Sequence, residues 1–188
     1  MTAGTVSRVE LPDAAATRDL GRALAAVLRA GDLVVLTGDL GAGKTTLTQG
    51  IGAGLGVRGQ VASPTFIIAR VHPSVSGGTP LVHVDAYRLG SLDEVDALDL
   101  DTGLDESVTV VEWGEGLVEG LAQDRLEVTM RRPRGGEPDP DDPSAGTRVV
   151  EVRAVGERWA RVVLPGVPVE QQVGEPVEGP VEPQGGRS

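Results

Sequence analysis

The sequence predicts an α/β fold with a mixed, mainly parallel central sheet flanked by helices, and with antiparallel strands toward the C-terminus. Three observations favour this class. An aliphatic run at residues 33–36 leads through a glycine-rich segment into a helical stretch, the order typical of parallel α/β sheets. Two further short apolar runs, at 81–84 and 108–111, have the composition of buried strands. Residues 126–130 and 149–155 predict an antiparallel pair across a loop rich in Pro, Gly and Asp.

The N-terminal part of the chain predicts a strand and a helix. Weak alternation of apolar and polar residues at 5–11 indicates an edge strand. From Asp13, a suitable N-cap, to Ala30, apolar residues recur at three- and four-residue spacing. We therefore expect an amphipathic helix over this stretch, ended by Gly31.

The second helix is predicted to begin near Lys44 and is rich in glycine. Each glycine in a helix interior costs about 1 kcal/mol relative to alanine, so we expect this helix to be short or frayed. Its glycines are Gly50, Gly52, Gly54 and Gly56. The elements predicted after it are a strand at 66–71, a loop at 73–80 and a helix at 91–100.

The composition of the chain changes near its C-terminal end. Residues 133–146 form a long stretch rich in Pro, Gly and Asp, which predicts a mobile loop. After Leu164 the chain consists largely of Pro, Gly and Glu with single valines, a composition that favours disorder over packing. We therefore expect one folded domain at 1–164 and a disordered acidic tail at 165–188.

Charge and cysteine content exclude several classes of protein. The 188 residues carry a formal net charge of −11, so the whole molecule should repel nucleic-acid phosphate and bind proteins or small ligands instead. The absence of cysteine excludes disulfides and thiolate metal sites. The longest aliphatic run is far shorter than the roughly 20 residues of a membrane span. We expect a cytoplasmic protein with no membrane partner.

The clearest motif is a phosphate-binding loop. Residues 38–45, GDLGAGKT, match the pattern G-x-x-x-x-G-K-[ST] at every fixed position, between a predicted strand and a predicted helix. Its glycines let the backbone N–H groups curl around phosphate oxygens. Lys44 is expected to reach the β- and γ-phosphates, and the Thr45 hydroxyl to bind Mg²⁺. Lys44 is also the only lysine among the 17 basic residues. The motif predicts a P-loop NTPase.

Two carboxylates follow predicted strands, Asp85 after 81–84 and Glu112 after 108–111. Ligands of parallel α/β sheets bind beyond the carboxyl ends of the strands, so both acids are expected at the phosphate site. Asp85 is our candidate for holding Mg²⁺ directly or through water, and Glu112 for orienting or deprotonating the attacking water. His83 shares the strand face of Asp85 and Tyr87, where it either orients Asp85 or is a core histidine.

Several other residues admit two interpretations. Thr65, after Ser63 and Pro64, is a candidate to bind Mg²⁺ or the γ-phosphate, although a simple turn has the same sequence. Trp113 either stacks on a base or a partner, or packs in the protein. Arg70 and Arg88 either neutralise transition-state charge or form surface ion pairs. In the sequence, Arg70 precedes and Arg88 follows the predicted strand before Asp85.

The motifs narrow the class of nucleotide enzyme. A GTPase recognises guanine through an Asn/Thr-Lys-x-Asp segment, which a chain with one lysine cannot supply. A stand-alone kinase of a small hydroxylated metabolite stays open. Such kinases usually carry an arginine-rich lid, whereas the comparable insertion here, 133–146, is mainly acidic.

Four motifs taken together resemble one family. They are GDLGAGKTT at 38–46, SPTF at 63–66, HVDAYR at 83–88 and EW at 112–113. In this order they are similar to the TsaE (YjeE) family, the ATPase component of the bacterial machinery that makes threonylcarbamoyladenosine in tRNA. The resemblance runs from about residue 14 to 130.

The resemblance implies a function and a set of site residues. It implies a Mg²⁺-dependent ATPase that docks on TsaB-like and TsaD-like partners, contacts tRNA only indirectly and resets the transferase complex between turnovers. It assigns Lys44, Asp85 and Glu112 to catalysis, and Thr45, Asp85, Glu112 and Thr65 to the metal. The implied nucleotide-binding residues are Asp39, Leu40, Gly41, Ala42, Gly43, Lys44, Thr45 and Thr46.

Overall fold

A computed structural model describes residues 5–64, 68–91, 94–95, 103–133 and 146–166. Within these residues the chain forms one seven-stranded sheet and two longer helices, together with short 3-10 turns. The strands are β1 Thr5–Leu11, β2 Leu33–Thr37, β3 Ala69–His72, β4 Leu81–Asp85, β5 Val108–Glu112, β6 Arg125–Arg131 and β7 Arg148–Val155. The helices are α1 Ala14–Ala25 and α2 Lys44–Gly54.

The sheet is mixed, with the strand order β1-β7-β6-β2-β5-β4-β3. The four central strands, β6, β2, β5 and β4, run parallel to one another. The three outer pairings, β1 with β7, β7 with β6 and β3 with β4, are antiparallel. The predicted mixed α/β fold with antiparallel strands toward the C-terminus is therefore confirmed. The prediction of a mainly parallel sheet holds for its centre only.

The core explains why β2 is apolar throughout. Val34 and Leu36 point to the face that α1 and α2 cover, while Leu33 and Val35 point to the opposite face, where Val84 and Val111 also pack. A strand buried on both faces needs apolar residues at every position rather than at alternate ones. Neither helix within the described ranges is long and apolar enough to cross a membrane.

Most predicted elements that lie in the described residues are present. Strand β1 is an edge strand, and β6 and β7 pair antiparallel as predicted. The strand predicted at 66–71 begins at Ala69 and extends to His72, and residues 65–67 lie outside the described part. Of the helix predicted at 91–100, only residues 94 and 95 are described as helical. Most of the loop predicted at 133–146, and the tail after residue 166, also lie outside it.

Helix α1 is shorter than predicted, because it ends at Ala25 and not at Ala30. Asp13 caps its start, accepting a hydrogen bond from the Ala16 N–H at 2.8 Å. The chain leaves the helix because the Arg29 N–H donates to the Asp32 carboxylate at 2.9 Å. Gly31 then adopts φ +91° and donates its N–H to carbonyl oxygens of a neighbouring loop. The Leu28 N–H still donates to the Leu24 carbonyl, so the N–H groups that leave the helical pattern are those of Arg29 and Gly31.

The prediction that α2 is short or frayed is wrong. The helix has 11 residues and continues through Gly50 and Gly52 to Gly54. A Cβ atom at Gly50 would lie 2.2 Å from the Arg18 carbonyl oxygen, and one at Gly54 would lie 2.5 Å from the Ala25 Cβ. The missing side chains therefore allow α1 and α2 to pack backbone against backbone, which offsets the low helix propensity of glycine.

Candidate functional site

The loop between β2 and α2 curls around its own lysine. Gly38, Gly41 and Gly43 adopt φ values of +144°, +80° and +107°, a region that side-chain-bearing residues rarely enter. The Lys44 Nζ donates to the carbonyl oxygens of Gly38, at 2.6 Å, and Asp39, at 3.0 Å. The ammonium group is thus held at the mouth of the loop, where the N-terminus of α2 also points.

A cavity of about 580 Å³ opens beside this loop. It lies at the carboxyl ends of β2, β4 and β5, because these strands run parallel and end at the same edge of the sheet. Its lining residues are Leu40, Gly41, Gly43, Lys44, Thr45, Thr46, Ser63, Asp85, Tyr87, Glu112, Trp113 and Arg148.

Glu112 lies at the end of β5 and is only 3% exposed. Its Oε2 accepts a hydrogen bond from the Thr45 hydroxyl at 3.1 Å. Its Oε1 lies 2.8 Å from the Nε2 of His83, which is fully buried. The carboxylate is thus fixed between the first turn of α2 and the middle of β4. Strand alternation suggested Asp85 as the partner of His83. The carboxylate that His83 contacts is that of Glu112.

Asp85 ends β4 and pairs in register with Glu112 on β5. One carboxylate oxygen accepts from the Ser63 hydroxyl at 2.8 Å, and the other accepts from the Tyr87 N–H at 3.0 Å. The predicted common strand face with Tyr87 is wrong. The strand ends at Asp85, and Tyr87 lies in the 3-10 turn Ala86–Arg88, because the Asp85 carboxylate caps that turn.

Trp113 forms an aromatic wall of the cavity. It adopts φ +62°, and its N–H donates to the Leu36 carbonyl at 2.9 Å. The Lys44 Nζ lies 3.8 Å from the centre of its ring, a cation–π contact. The Tyr87 ring is tilted by 59° against it at a centroid distance of 5.2 Å. Trp113 therefore contacts the loop lysine directly, and Tyr87 packs against Trp113 in the cavity wall.

The site balances buried charges of both signs. Burial lowers the pKa of the Lys44 ammonium, because a cation loses hydration inside the protein, and the carboxylates of Glu112, Asp85 and Asp39 oppose this by favouring the charged form. An added anion would further favour the charged form of Lys44. The loop is thus electrostatically suited to bind a phosphate group.

Some predicted site residues lie elsewhere. Within the described residues, the cavity lining includes neither Asp39 nor Ala42; Ala42 is buried, and the exposed Asp39 borders a neighbouring hollow with Arg8 and Arg131. Arg70, which is exposed on β3, and Arg88 are also absent from the lining. Thr65 lies outside the described residues.

Two residues of the cavity lining, Arg148 and Ser63, were not predicted as site residues from the sequence. Arg148 begins β7, is 2% exposed and reaches the cavity. A signal for it existed in the sequence: Arg148 has the same strand parity as Val150 and Val152, so it is a charged residue at a core position. Ser63 reaches the cavity through its hydrogen bond to Asp85.

The donor set fits a hard divalent cation. The Thr45 hydroxyl and the carboxylates of Glu112 and Asp85 offer oxygen ligands, which Mg²⁺ prefers. The described residues contain no group of three His, Cys, Asp or Glu side chains that would hold a metal by itself. The arrangement therefore suits a cation that keeps waters and takes further oxygens from a bound phosphate, as Mg²⁺ usually does.

Comparisons with known proteins agree on one family. The family model described as "Threonylcarbamoyl adenosine biosynthesis protein TsaE" matches residues 11–137. A Streptomyces coelicolor protein named "tRNA threonylcarbamoyladenosine biosynthesis protein TsaE" is 62% identical over 144 residues, which cover 76% of this chain and 93% of that protein. A Bacillus subtilis protein of the same name is 38% identical over 148 residues, covering 76% and 82%. The crystal structure of Bacillus subtilis YdiB superposes with a TM-score of 0.63 at 31% identity, covering 85% of this chain and 92% of that one.

Proposed function

This chain belongs to the TsaE family and acts in tRNA threonylcarbamoyladenosine biosynthesis, and from this premise we propose that it is the ATP-binding and ATP-hydrolysing component of that pathway. One observation carries the proposal. The folded chain brings Lys44, Thr45, Asp85 and Glu112 from three separate segments to one cavity beside a glycine loop. These residues are up to 68 positions apart in the sequence, so it is the fold that brings them together.

The loop and the first turn of α2 would bind the triphosphate of ATP. Gly41, Gly43, Lys44, Thr45 and Thr46 line the cavity and offer backbone N–H groups, an ammonium group and two hydroxyls. Lys44 would exchange its two carbonyl partners for phosphate oxygens, which is favourable because a charge-assisted hydrogen bond is stronger than a bond to a neutral carbonyl. Asp39 and Ala42 would contribute only through the loop backbone.

Thr45, Asp85 and Glu112 would hold Mg²⁺, with Thr65 as a further candidate outside the described residues. Bound there, the ion would neutralise charge that develops on the transferring phosphoryl group. These three side chains present oxygen atoms to the same cavity, and the Thr45 hydroxyl lies 3.1 Å from a Glu112 oxygen. This proximity supports the assignment of a common ligand.

Glu112 would act on the attacking water. A water placed against its carboxylate would attack the γ-phosphorus, the bond from that phosphorus to the β–γ bridging oxygen would break, and the released proton would pass to the carboxylate. His83 would keep the carboxylate oriented, because its Nε2 holds Oε1 while Oε2 stays near the nucleotide side. We name Lys44, Asp85 and Glu112 as the catalytic residues.

In the pathway the protein would dock on TsaB-like and TsaD-like partners in the cytoplasm and reset their complex between turnovers. It would contact tRNA only through them, because a chain with net charge −11 repels phosphate. Activity without partners would be low. Family membership favours this role over the stand-alone metabolite kinase, which no observation at the cavity supports.

The substitution Glu112→Gln tests the proposal. Gln keeps the size of the side chain but cannot take up the proton, so hydrolysis should fall at least 100-fold, within the range of lost general-base catalysis. ATP affinity should stay within a few-fold. The measurements are phosphate release and equilibrium ATP binding of the full chain, alone and with its partners. Glu127→Gln on β6, whose carboxylate pairs with Arg125, is the matched control and should leave hydrolysis unchanged.

Two results would contradict the proposal. One is hydrolysis by the Glu112→Gln variant at the wild-type rate. The other is hydrolysis by the wild-type chain that depends on a small hydroxylated acceptor and yields its phosphate ester, which would favour the kinase.

A further inference from the structure

Arg148 lies at the nucleotide cavity, although it belongs to a strand beyond the four motifs and beyond the stretch matched by the family model. We propose that its guanidinium group binds the phosphate of the nucleotide closest to the sugar. The inference rests on the proposed function, since it needs a nucleotide in this cavity, and it adds a phosphate ligand that lies outside the glycine loop.

The strand order gives the direction of the bound nucleotide. Strands β5 and β4, which carry Glu112 and Asp85, lie on one side of β2, and β6 and β7 lie on the other. Arg148 therefore approaches the loop from the side opposite the two acids. If the reacting phosphate lies near Thr45 and Glu112, the remainder of the nucleotide extends toward Arg148.

Local packing brings the guanidinium close to the loop. The Arg148 Nε lies 3.7 Å from the position that a Cβ atom would take on Gly43, the residue before Lys44. One terminal nitrogen of Arg148 donates to the Gly146 carbonyl, which anchors the guanidinium group at this end of the cavity. The side chain is 2% exposed, so the cation is held inside the protein beside the loop and does not extend into solvent.

Charge at the cavity supports an anionic ligand for this arginine. In the part of the lining that the structure describes, the basic side chains are Lys44 and Arg148 and the acidic ones are Asp85 and Glu112. The Glu112 carboxylate accepts from the Thr45 hydroxyl, and the Asp85 carboxylate accepts from the Ser63 hydroxyl. The planar guanidinium donates two parallel hydrogen bonds to a phosphate, a geometry that lysine cannot reproduce. Arg148 is therefore suited to bind the phosphate that Lys44 does not reach.

Equilibrium binding of ATP, ADP and AMP to the full-length chain tests the inference. Arg148→Gln should weaken the binding of all three by a similar factor, about tenfold or more, because each contains the sugar-proximal phosphate. Arg153→Gln is the matched control. Arg153 lies on the exposed face of the same strand, and its substitution removes the same charge. It should change the affinities by less than twofold.

The outcomes separate this inference from the proposed function. Absence of ATP binding by the wild-type chain would overturn both. Wild-type binding together with Arg148→Gln affinities within twofold of it would overturn the role of Arg148 alone. Weakened binding of ATP with unchanged binding of ADP and AMP would also overturn it, because the contact would then be at the terminal phosphate.

A second variant and a spectroscopic measurement cover the possibility that Arg148→Gln does not fold. Arg148→Lys keeps the buried cation but lacks the planar fork, so it should fold and bind each nucleotide more weakly than wild type by several-fold. In the wild-type chain, the Nε–H NMR signal of Arg148, assigned by its absence in Arg148→Lys, should shift on saturation with AMP. An unmoved signal would overturn the proposal.

Discussion

The buried contact between His83 and Glu112 gives the sharpest prediction for a single substitution. His83→Leu keeps an apolar side chain of similar size in β4 and removes the Nε2 that lies 2.8 Å from the Glu112 carboxylate. A hydrogen bond to a charged group contributes about 1.5–3 kcal/mol. Glu112 is 3% exposed, so little water is available to replace the lost partner. If that energy serves to orient the carboxylate, the hydrolysis rate should fall about 10- to 100-fold, since 1.36 kcal/mol corresponds to tenfold.

The assay compares initial rates of ATP hydrolysis over a range of ATP concentrations for three chains. The His83→Leu chain should show the loss in kcat with little change in KM, because His83 does not line the cavity that would bind ATP. The His83→Gln chain retains an N–H donor at a similar distance from the backbone and should recover much of the rate. Thermal unfolding of each chain checks that the fold is intact.

A His83→Leu chain whose kcat stays within twofold of wild type would contradict an orienting role for His83. That role is also contradicted if the substitution raises KM and leaves kcat unchanged, since His83 would then support binding and not the orientation of Glu112. A His83→Gln chain as impaired as His83→Leu would show that the hydrogen bond is not the feature that matters.

Two further predictions concern stability. Gly50→Ala should lower the free energy of unfolding by about 1–2 kcal/mol, since the close contact with the Arg18 carbonyl outweighs the gain in helix propensity. Gly103→Ala, whose Cβ has no neighbour within 4 Å, should be neutral or slightly stabilising in the same urea titration. Equal losses of stability in the two variants would contradict this explanation of the helix glycines. Burial lowers the pKa of His72, so the unfolded chain binds its proton at higher pH than the folded chain and stability falls as pH drops below about 6.5. His72→Leu should lose less stability than wild type between pH 7 and pH 5, and identical losses would refute this linkage.

The local features of the fold were predictable because they depend on neighbouring residues. The run at 33–36 indicated a buried strand, and Asp13 indicated the start of α1, since apolar composition and an N-cap are local signals. The end of α1 was not predictable in the same way. It depends on Gly31 contacting a loop more than 70 residues later in the chain.

The glycines of α2 show how a local rule fails through tertiary contact. Helix propensity alone counts Gly50 and Gly54 as destabilising. The absence of side chains at these glycines is favourable because α1 packs closely against them, with Arg18 beside Gly50 and Ala25 beside Gly54. The spacing within α2 did not reveal that contact.

Part of the site was predictable, because its motifs determine where their residues lie relative to the sheet. The proximity of Lys44, Thr45, Asp85 and Glu112 was predictable, because a glycine loop and strand-ending acids meet at one edge of a parallel sheet. The position of Arg148 was not predictable, because it depends on β7 being the second strand from β2. The partner of His83 was not predictable either, because that contact depends on the register between β4 and β5.

The central claim is that the loop around Lys44 binds ATP, and calorimetric titration of the full-length chain with ATP and Mg²⁺ tests it most directly. The account predicts saturable binding at one site by the wild-type chain, and no detectable binding by a folded Lys44→Ala chain, in which the ammonium group held at the loop is absent. Equal affinities of the two chains, or no binding by either, would contradict it.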